Sequence, residues 1–168
     1  MYHDGYVNIV NVDYSTVVIN QQAKKYPDMK WEVGDAMRLK YKDFSIESIV
    51  DKSLIDTVLC YSDSHIHLNN FLDEMYRILQ FGGRYITLSL HPIHEVLHHY
   101  TQEKYKWGVS AYNLKSPRWD EGENRHRSVA QTLLICDKHY SDGTKTVLSV
   151  PNPHPDVKYK FANDLVSF

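Results

Sequence analysis

The sequence predicts an α/β fold, a doubly wound and mostly parallel sheet that finishes in an antiparallel hairpin. Three observations carry this. Strand-like runs alternate with helix-like stretches as far as residue 103. Three of those runs end on an aspartate, at Asp13, Asp35 and Asp51. Residues 105–112 and 128–137 then read as two strands with no helical pattern between them, which fits an antiparallel pair at a sheet edge. In an open α/β sheet, ligands sit beyond the carboxyl ends of parallel strands. Acids at three such ends would line one crevice with hydrogen-bond acceptors, favouring a hydroxyl- and amine-bearing ligand over a phosphate.

Taken in order, residues 1–6 read as the tail of a helix stopped at Gly5. Val- and Ile-rich residues 7–12 form a strand, and Ser15 caps a helix over 16–26 that Pro27 ends. Residues 30–34 make a second strand, 36–45 a loop with a short extended piece at 39–41, and 46–51 a third strand. A short helix follows near 53–60. A longer one over 65–79 carries Leu68, Leu72, Met75, Tyr76 and Leu79 at helical spacing. Phe81-Gly82-Gly83 reads as a helix stop and turn, 84–90 as a buried strand and 93–103 as another helix. A polar loop over 115–127 joins the hairpin strands. One domain is expected over 1–138, followed by a peripheral or partly disordered tail over 139–168, which holds three of the six prolines.

Bulk composition narrows the function classes. With 19 basic and 21 acidic side chains, the net charge of −2 gives no electrostatic case for nucleic acid or an anionic membrane. No apolar run approaches the ~20 residues of a membrane span. The amino terminus lacks a secretory layout, and two cysteines make no disulfide framework, so a cytoplasmic protein is expected. Ten histidines, among them His65, His67, His91, His94, His98 and His99, show no zinc-ligand spacing, and no metal is expected. Cys60 has no general base at motif spacing and reads as an ordinary buried thiol.

Four stretches carry a family likeness: residues 5–15, 29–37, 49–56 and 74–86. In their order and spacing, over about residues 1–137, the chain resembles a class I S-adenosylmethionine-dependent methyltransferase. More narrowly, it resembles the group that includes lysine methyltransferases of translation elongation factor 1A. The resemblance implies a Rossmann-like sheet, S-adenosyl-L-methionine as cofactor and a protein substrate of the elongation-factor type. It implies that Asp13, followed by Tyr14 and Ser15, accepts from the cofactor ribose. Asp35 would accept from the adenine amino group, with Ala36 and Met37 against the ring. Asp51 and Lys52 would stand beside the methionine end and the entering substrate, with Asp51 as candidate proton acceptor. The plainer alternatives are turn acids at Asp13 and Asp35 and a surface charge cluster at Asp51 and Lys52.

The resemblance also implies a strand and glycine-rich turn ahead of the first acid, and twelve residues leave no room for them. The expected fold therefore lacks that first strand and turn, as an amino-terminally truncated member would. Its neighbouring strands should keep unpaired ladder groups. Either a truncated product, a catalytically inactive interaction protein, or replacement by a tail segment such as 146–150 would account for this. The loop 115–127, with Trp119 among charges, reads either as a substrate-groove element or as a solvated loop.

Overall fold

Parallel pairing sets the layout of the chain. The computed structural model describes residues 1–120 and 125–139, and the side chains of 1–114 and 131–139. The tail beyond residue 139, with its candidate strand 146–150, lies outside the described residues. A 3-10 turn at Tyr2–Asp4 is followed by β1 (Val10–Asp13), α1 (Thr16–Lys25), β2 (Lys30–Val33), β3 (Ile46–Lys52), α2 (Leu54–Leu59) and α3 (Ser64–Ile78). Then come β4 (Leu79–Ser89), α4 (Ile93–Tyr100), β5 (Trp107–Asp120) and β6 (Arg125–Lys138). The chain divides into two compact units, Met1–Lys40 and Tyr41–Phe168. Among the described residues no helix is long and apolar enough to cross a membrane.

In the first unit β1 and β2 run parallel, from Val10 opposite Lys30 to Asp13 opposite Val33. Ser15 has extended backbone and its Oγ accepts from Val18 N at 3.3 Å, satisfying an orphan amide at the start of α1. Lys24 and Lys25 occupy the last turn, where cations complement the helix dipole. Gly34 allows close strand packing: a Cβ there would meet Val12 Cγ1 at 2.8 Å. Ile19 is the one buried hydrophobic side chain of this unit among the described residues, while Val10 and Val12 stay 37% exposed.

The second unit holds a four-stranded sheet in the order β3-β4-β6-β5. β3 and β4 are parallel, and β6 runs antiparallel to both β4 and β5. The mixed α/β class, parallel pairs followed by an antiparallel hairpin, is as the sequence predicts. Among the described residues the strands form two sheets, however: β1 pairs with β2 and β3 with β4, and no ladder joins the pairs there. On β3, Val50 is 53% exposed.

Two local expectations are overturned. Gly82-Gly83 does not end a helix; α3 stops at Ile78 and β4 begins at once. The glycines form an irregularity inside β4, where the pairing shifts between Ile46 and Ser48 of β3. Gly82 has φ 78°, and a Cβ on Gly83 would strike Glu47 O at 2.7 Å, so both positions require glycine. Most of the expected loop 115–127 is strand, since β5 and β6 stay in register out to Asp120 opposite Arg125. Polar composition hid a ribbon that is stabilised by backbone pairing.

Along β4, Tyr85, Thr87 and Ser89 are buried whereas Arg84, Ile86 and Leu88 are only half-buried. Such period-two burial marks a strand with one fully covered face. The covering layer includes Leu68, Phe71, Leu72, Met75 and Ile78 of α3 and Val96 and Tyr100 of α4. Each large apolar side chain so buried contributes on the order of 1.5–3 kcal/mol.

Lys138, at the end of β6, ties this layer to the sheet. Its side chain is buried, and Nζ donates to the carbonyls of Tyr76 and Leu79, the latter at 2.7 Å. These are carbonyls of the last turn of α3 and the residue after it, which lack helical partners. Nζ also lies over the Tyr76 ring at 4.0 Å and the Phe44 ring at 4.4 Å. Burial lowers its pKa to about 8 from 10.5. Between those values the unfolded chain binds a proton that the folded chain does not, so stability should rise with pH in that window. Denaturant unfolding should show the rise in the wild type and not in Lys138→Met; parallel pH profiles would contradict this role.

Candidate active site

The parallel strand pairs carry the three sequence-predicted acids at their carboxyl ends. Asp13 ends β1, and Asp35 follows β2 by two residues. Gly34 N donates to Asp13 O at 3.0 Å, so the two acids sit at the same end of one sheet. Asp13 Oδ1 accepts from Ser15 N at 2.7 Å, and Asp35 Oδ1 accepts from Met37 N at 2.9 Å. Both are therefore turn acids. Each uses one oxygen locally, and Oδ2 of each has no partner among the described residues. Both acids are exposed, beside half-buried Ala36 and Met37. Tyr14 is 80% exposed, and the Ser15 hydroxyl is committed to the α1 cap.

Asp51 belongs to the other unit and has a different environment. It lies opposite Thr87 in the β3–β4 register. Its Oδ2 accepts from Tyr85 Oη at 2.5 Å; its Oδ1 accepts from Thr87 Oγ1 at 3.0 Å and Leu54 N at 3.3 Å. Burial raises the carboxyl pKa above its ordinary 3.8, against the lowering effect of these three donors. Lys52, the next residue, is exposed. Alternation along β3 thus sends the two charges to opposite faces, and they do not form a surface cluster.

The turn after β3 is strained. Ser53 adopts φ 61°, a left-handed conformation, and its N–H donates to Leu88 O at 2.7 Å. Such strain is often held in place at functional sites. One helical turn on, Asp56 accepts from the Ser89 hydroxyl and from Leu90 N at 3.0 Å. Ser89 Oγ in turn accepts from His91 N at 3.0 Å. Cys60, expected to be buried, is exposed at the end of α2, where Sγ donates to Asp56 O; Cys136 is the buried thiol.

Sequence reasoning missed Tyr85, Thr87, Ser89, Tyr100 and Asp56. Tyr85, Thr87 and Ser89 stand at alternate positions of a strand read simply as buried, and that polar alternation was the available signal. Tyr100 reaches the same region from α4, and its buried hydroxyl has no hydrogen-bond partner among the described residues. Burial pushes the phenols of Tyr85 and Tyr100 well above their ordinary range, so both remain neutral donors. Among the described residues no three His, Cys, Asp or Glu side chains converge as a metal site would require.

Comparisons with known proteins bear on these positions. A family profile described as methyltransferase domain matches residues 1–87. The eEF1A lysine and N-terminal methyltransferase of Bos taurus is 32% identical over 125 residues, covering 69% of this chain and 18% of that protein. EEF1A lysine methyltransferase 4 of Mus musculus is 29% identical over 116 residues, covering 62% of this chain and 46% of that protein. The chain therefore matches less than half the length of either relative. A solved SAM-dependent methyltransferase from Methanosarcina mazei has a TM-score of 0.55 at 9% identity, over 76% of this chain and 80% of that one. This is a likeness of fold.

Because burial raises the folded-state pKa of Asp51, its stabilising contribution is complete below the unfolded value and is lost as pH rises through the folded one. Asp51→Asn should therefore raise the Tm at neutral pH, with the difference shrinking as pH falls toward 3.8. A Tm lowered at neutral pH would show instead that the carboxylate charge holds this region together.

Proposed function

The chain belongs to the methyltransferase-domain family of class I S-adenosyl-L-methionine-dependent enzymes, and on that premise we propose that it methylates a lysine side chain of a protein. The observation that supports this most is the pair of acceptors at the carboxyl ends of β1 and β2. Asp13 and Asp35 offer carboxylate oxygens and no basic group, a donor–acceptor match for hydroxyl and amine groups. When bound, the cofactor supplies a methyl group made electrophilic by its sulfonium.

In this proposal Asp13 accepts from the ribose hydroxyls, pairing ionised acceptor with neutral donor in bonds stronger than neutral ones. Its turn bond to Ser15 N fixes the carboxylate while leaving Oδ2 for the ligand. Asp35 accepts from the adenine amino group through its own second oxygen, and Ala36 and Met37 provide apolar contact for the ring. Asp51 and Lys52 flank the reacting end. A lysine nucleophile must first shed the proton of its ammonium group. Asp51, with a pKa raised by burial, is better matched to hold that proton than an exposed carboxylate would be. Tyr85 and Thr87 keep its oxygens in place throughout.

The lysine target rests on the activities for which the two relatives are named, both directed at eEF1A. The test is methyl transfer from radiolabelled S-adenosyl-L-methionine to purified eEF1A, compared with eEF1A whose lysines have been blocked by exhaustive acetylation. Label should enter the untreated protein and be lost on blocking, and Asp51→Asn should lower the rate by about 10²-fold or more, as removal of a general base does. Equal labelling of blocked and unblocked eEF1A would rule out lysine as the acceptor. No labelling of either would favour an interaction protein that retains the fold without the chemistry.

A further inference from the structure

A slot of about 360 Å³ opens on the second unit, lined by Phe44, Asp73, Tyr76, Arg77, Lys104 and Tyr105. Phe44 precedes the amino end of β3, whereas Asp51 lies near its carboxyl end, so roughly 15–20 Å of strand separates the slot from Asp51. Asp73, Tyr76 and Arg77, spaced at i, i+3 and i+4 on α3, share one face of that helix. Phe44 has φ 55°, disfavoured for a bulky side chain, yet its ring is 48% exposed. It is held by stacking on Phe81, with centroids 4.8 Å apart and planes at 21°.

The chain's own lysines indicate what these rings bind. Lys138 Nζ lies over both Tyr76 and Phe44. Lys104 Nζ lies 4.8 Å over the Tyr105 ring and pairs with Asp73 Oδ1 at 2.6 Å. Tyr105 Oη donates to the same Asp73 oxygen at 2.7 Å, which fixes the ring beside the carboxylate. Lys138 is buried and anchored by two carbonyls, but Lys104 is 42% exposed, and an exposed pair of this kind is weak. The Arg77 guanidinium is engaged by Glu74 and Asp43. If Lys104 swings into solvent, the Tyr105 ring face and the Asp73 carboxylate are opened, beside Tyr76 and Phe44, whose rings stay under Lys138. A cation satisfies both features, whereas an anion would be repelled by Asp73.

We propose that this slot binds an alkylated ammonium group, a quaternary or methylated amine, with Lys104 as its internal competitor. The site does not depend on the proposed function, since it lies at the opposite end of β3 from Asp51. The probe is choline chloride, titrated at constant ionic strength against its neutral isostere 3,3-dimethylbutan-1-ol. Binding is followed by NMR through the ring resonances of Tyr76 and Tyr105. Choline should give a saturable shift, and the isostere should bind at least about fivefold more weakly because it lacks the charge. Lys104→Ala should tighten choline binding by about threefold or more, because it removes the competing ammonium. Equal binding of the isostere would reduce the slot to an apolar pocket and overturn the proposal. So would the absence of a saturable response in both the wild type and Lys104→Ala, or a Lys104→Ala affinity no tighter than that of the wild type.

Discussion

Parallel pairing of neighbouring strands is the constraint on which the candidate site depends. A parallel pair brings the carboxyl ends of its two strands to one edge of the sheet, so residues distant in sequence meet there. The β1–β2 pair does this for Asp13 and Asp35. The β3–β4 pair does it for Asp51 with Thr87, and the strand ends beyond it bring Asp56 to Ser89. An antiparallel arrangement would have sent these partners to opposite ends. The polar chemistry of the chain thus follows from strand direction, and the helices between the strands make that direction possible.

The two kinds of acid are suited to different work. Asp13 and Asp35 are exposed, and each is oriented by one short turn bond, which suits an acceptor that meets a ligand from solvent. Asp51 is enclosed, gripped by Tyr85, Thr87 and Leu54 N, and raised in pKa by burial. Removing that donor set would leave a buried carboxylate uncompensated, which is costly. At the far end of the second unit, Lys138 solves a similar problem with the opposite charge, using carbonyls and ring faces. Asp51 and Lys138 are thus both answered by neutral dipoles.

Features encoded locally were legible in the sequence. Ser15 capping α1, the alternating valines of β1, and the apolar stripe of α3 depend on neighbours within a few residues, where spacing rules apply. The acids at the strand ends were legible for the same reason. The Tyr85–Asp51 bond joins residues 34 apart, and the Lys138 anchor joins residues 59 and 62 apart. No periodicity encodes such pairs. Gly82-Gly83 misled because a glycine pair suits both a turn and a bulge, and only the approach of Glu47 O decides between them. The hairpin ran longer than predicted because ladder pairing tolerates the polar residues that composition assigned to a loop.

The central claim is that Asp13 holds a cofactor through its carboxylate, and calorimetry with S-adenosylhomocysteine tests it most directly. The account predicts a saturable isotherm for the wild type and an affinity at least about tenfold weaker for Asp13→Ala, since each lost charge-assisted bond costs on the order of 1.5–3 kcal/mol. Equal affinities of the two proteins, or no binding by the wild type at millimolar ligand, would contradict it.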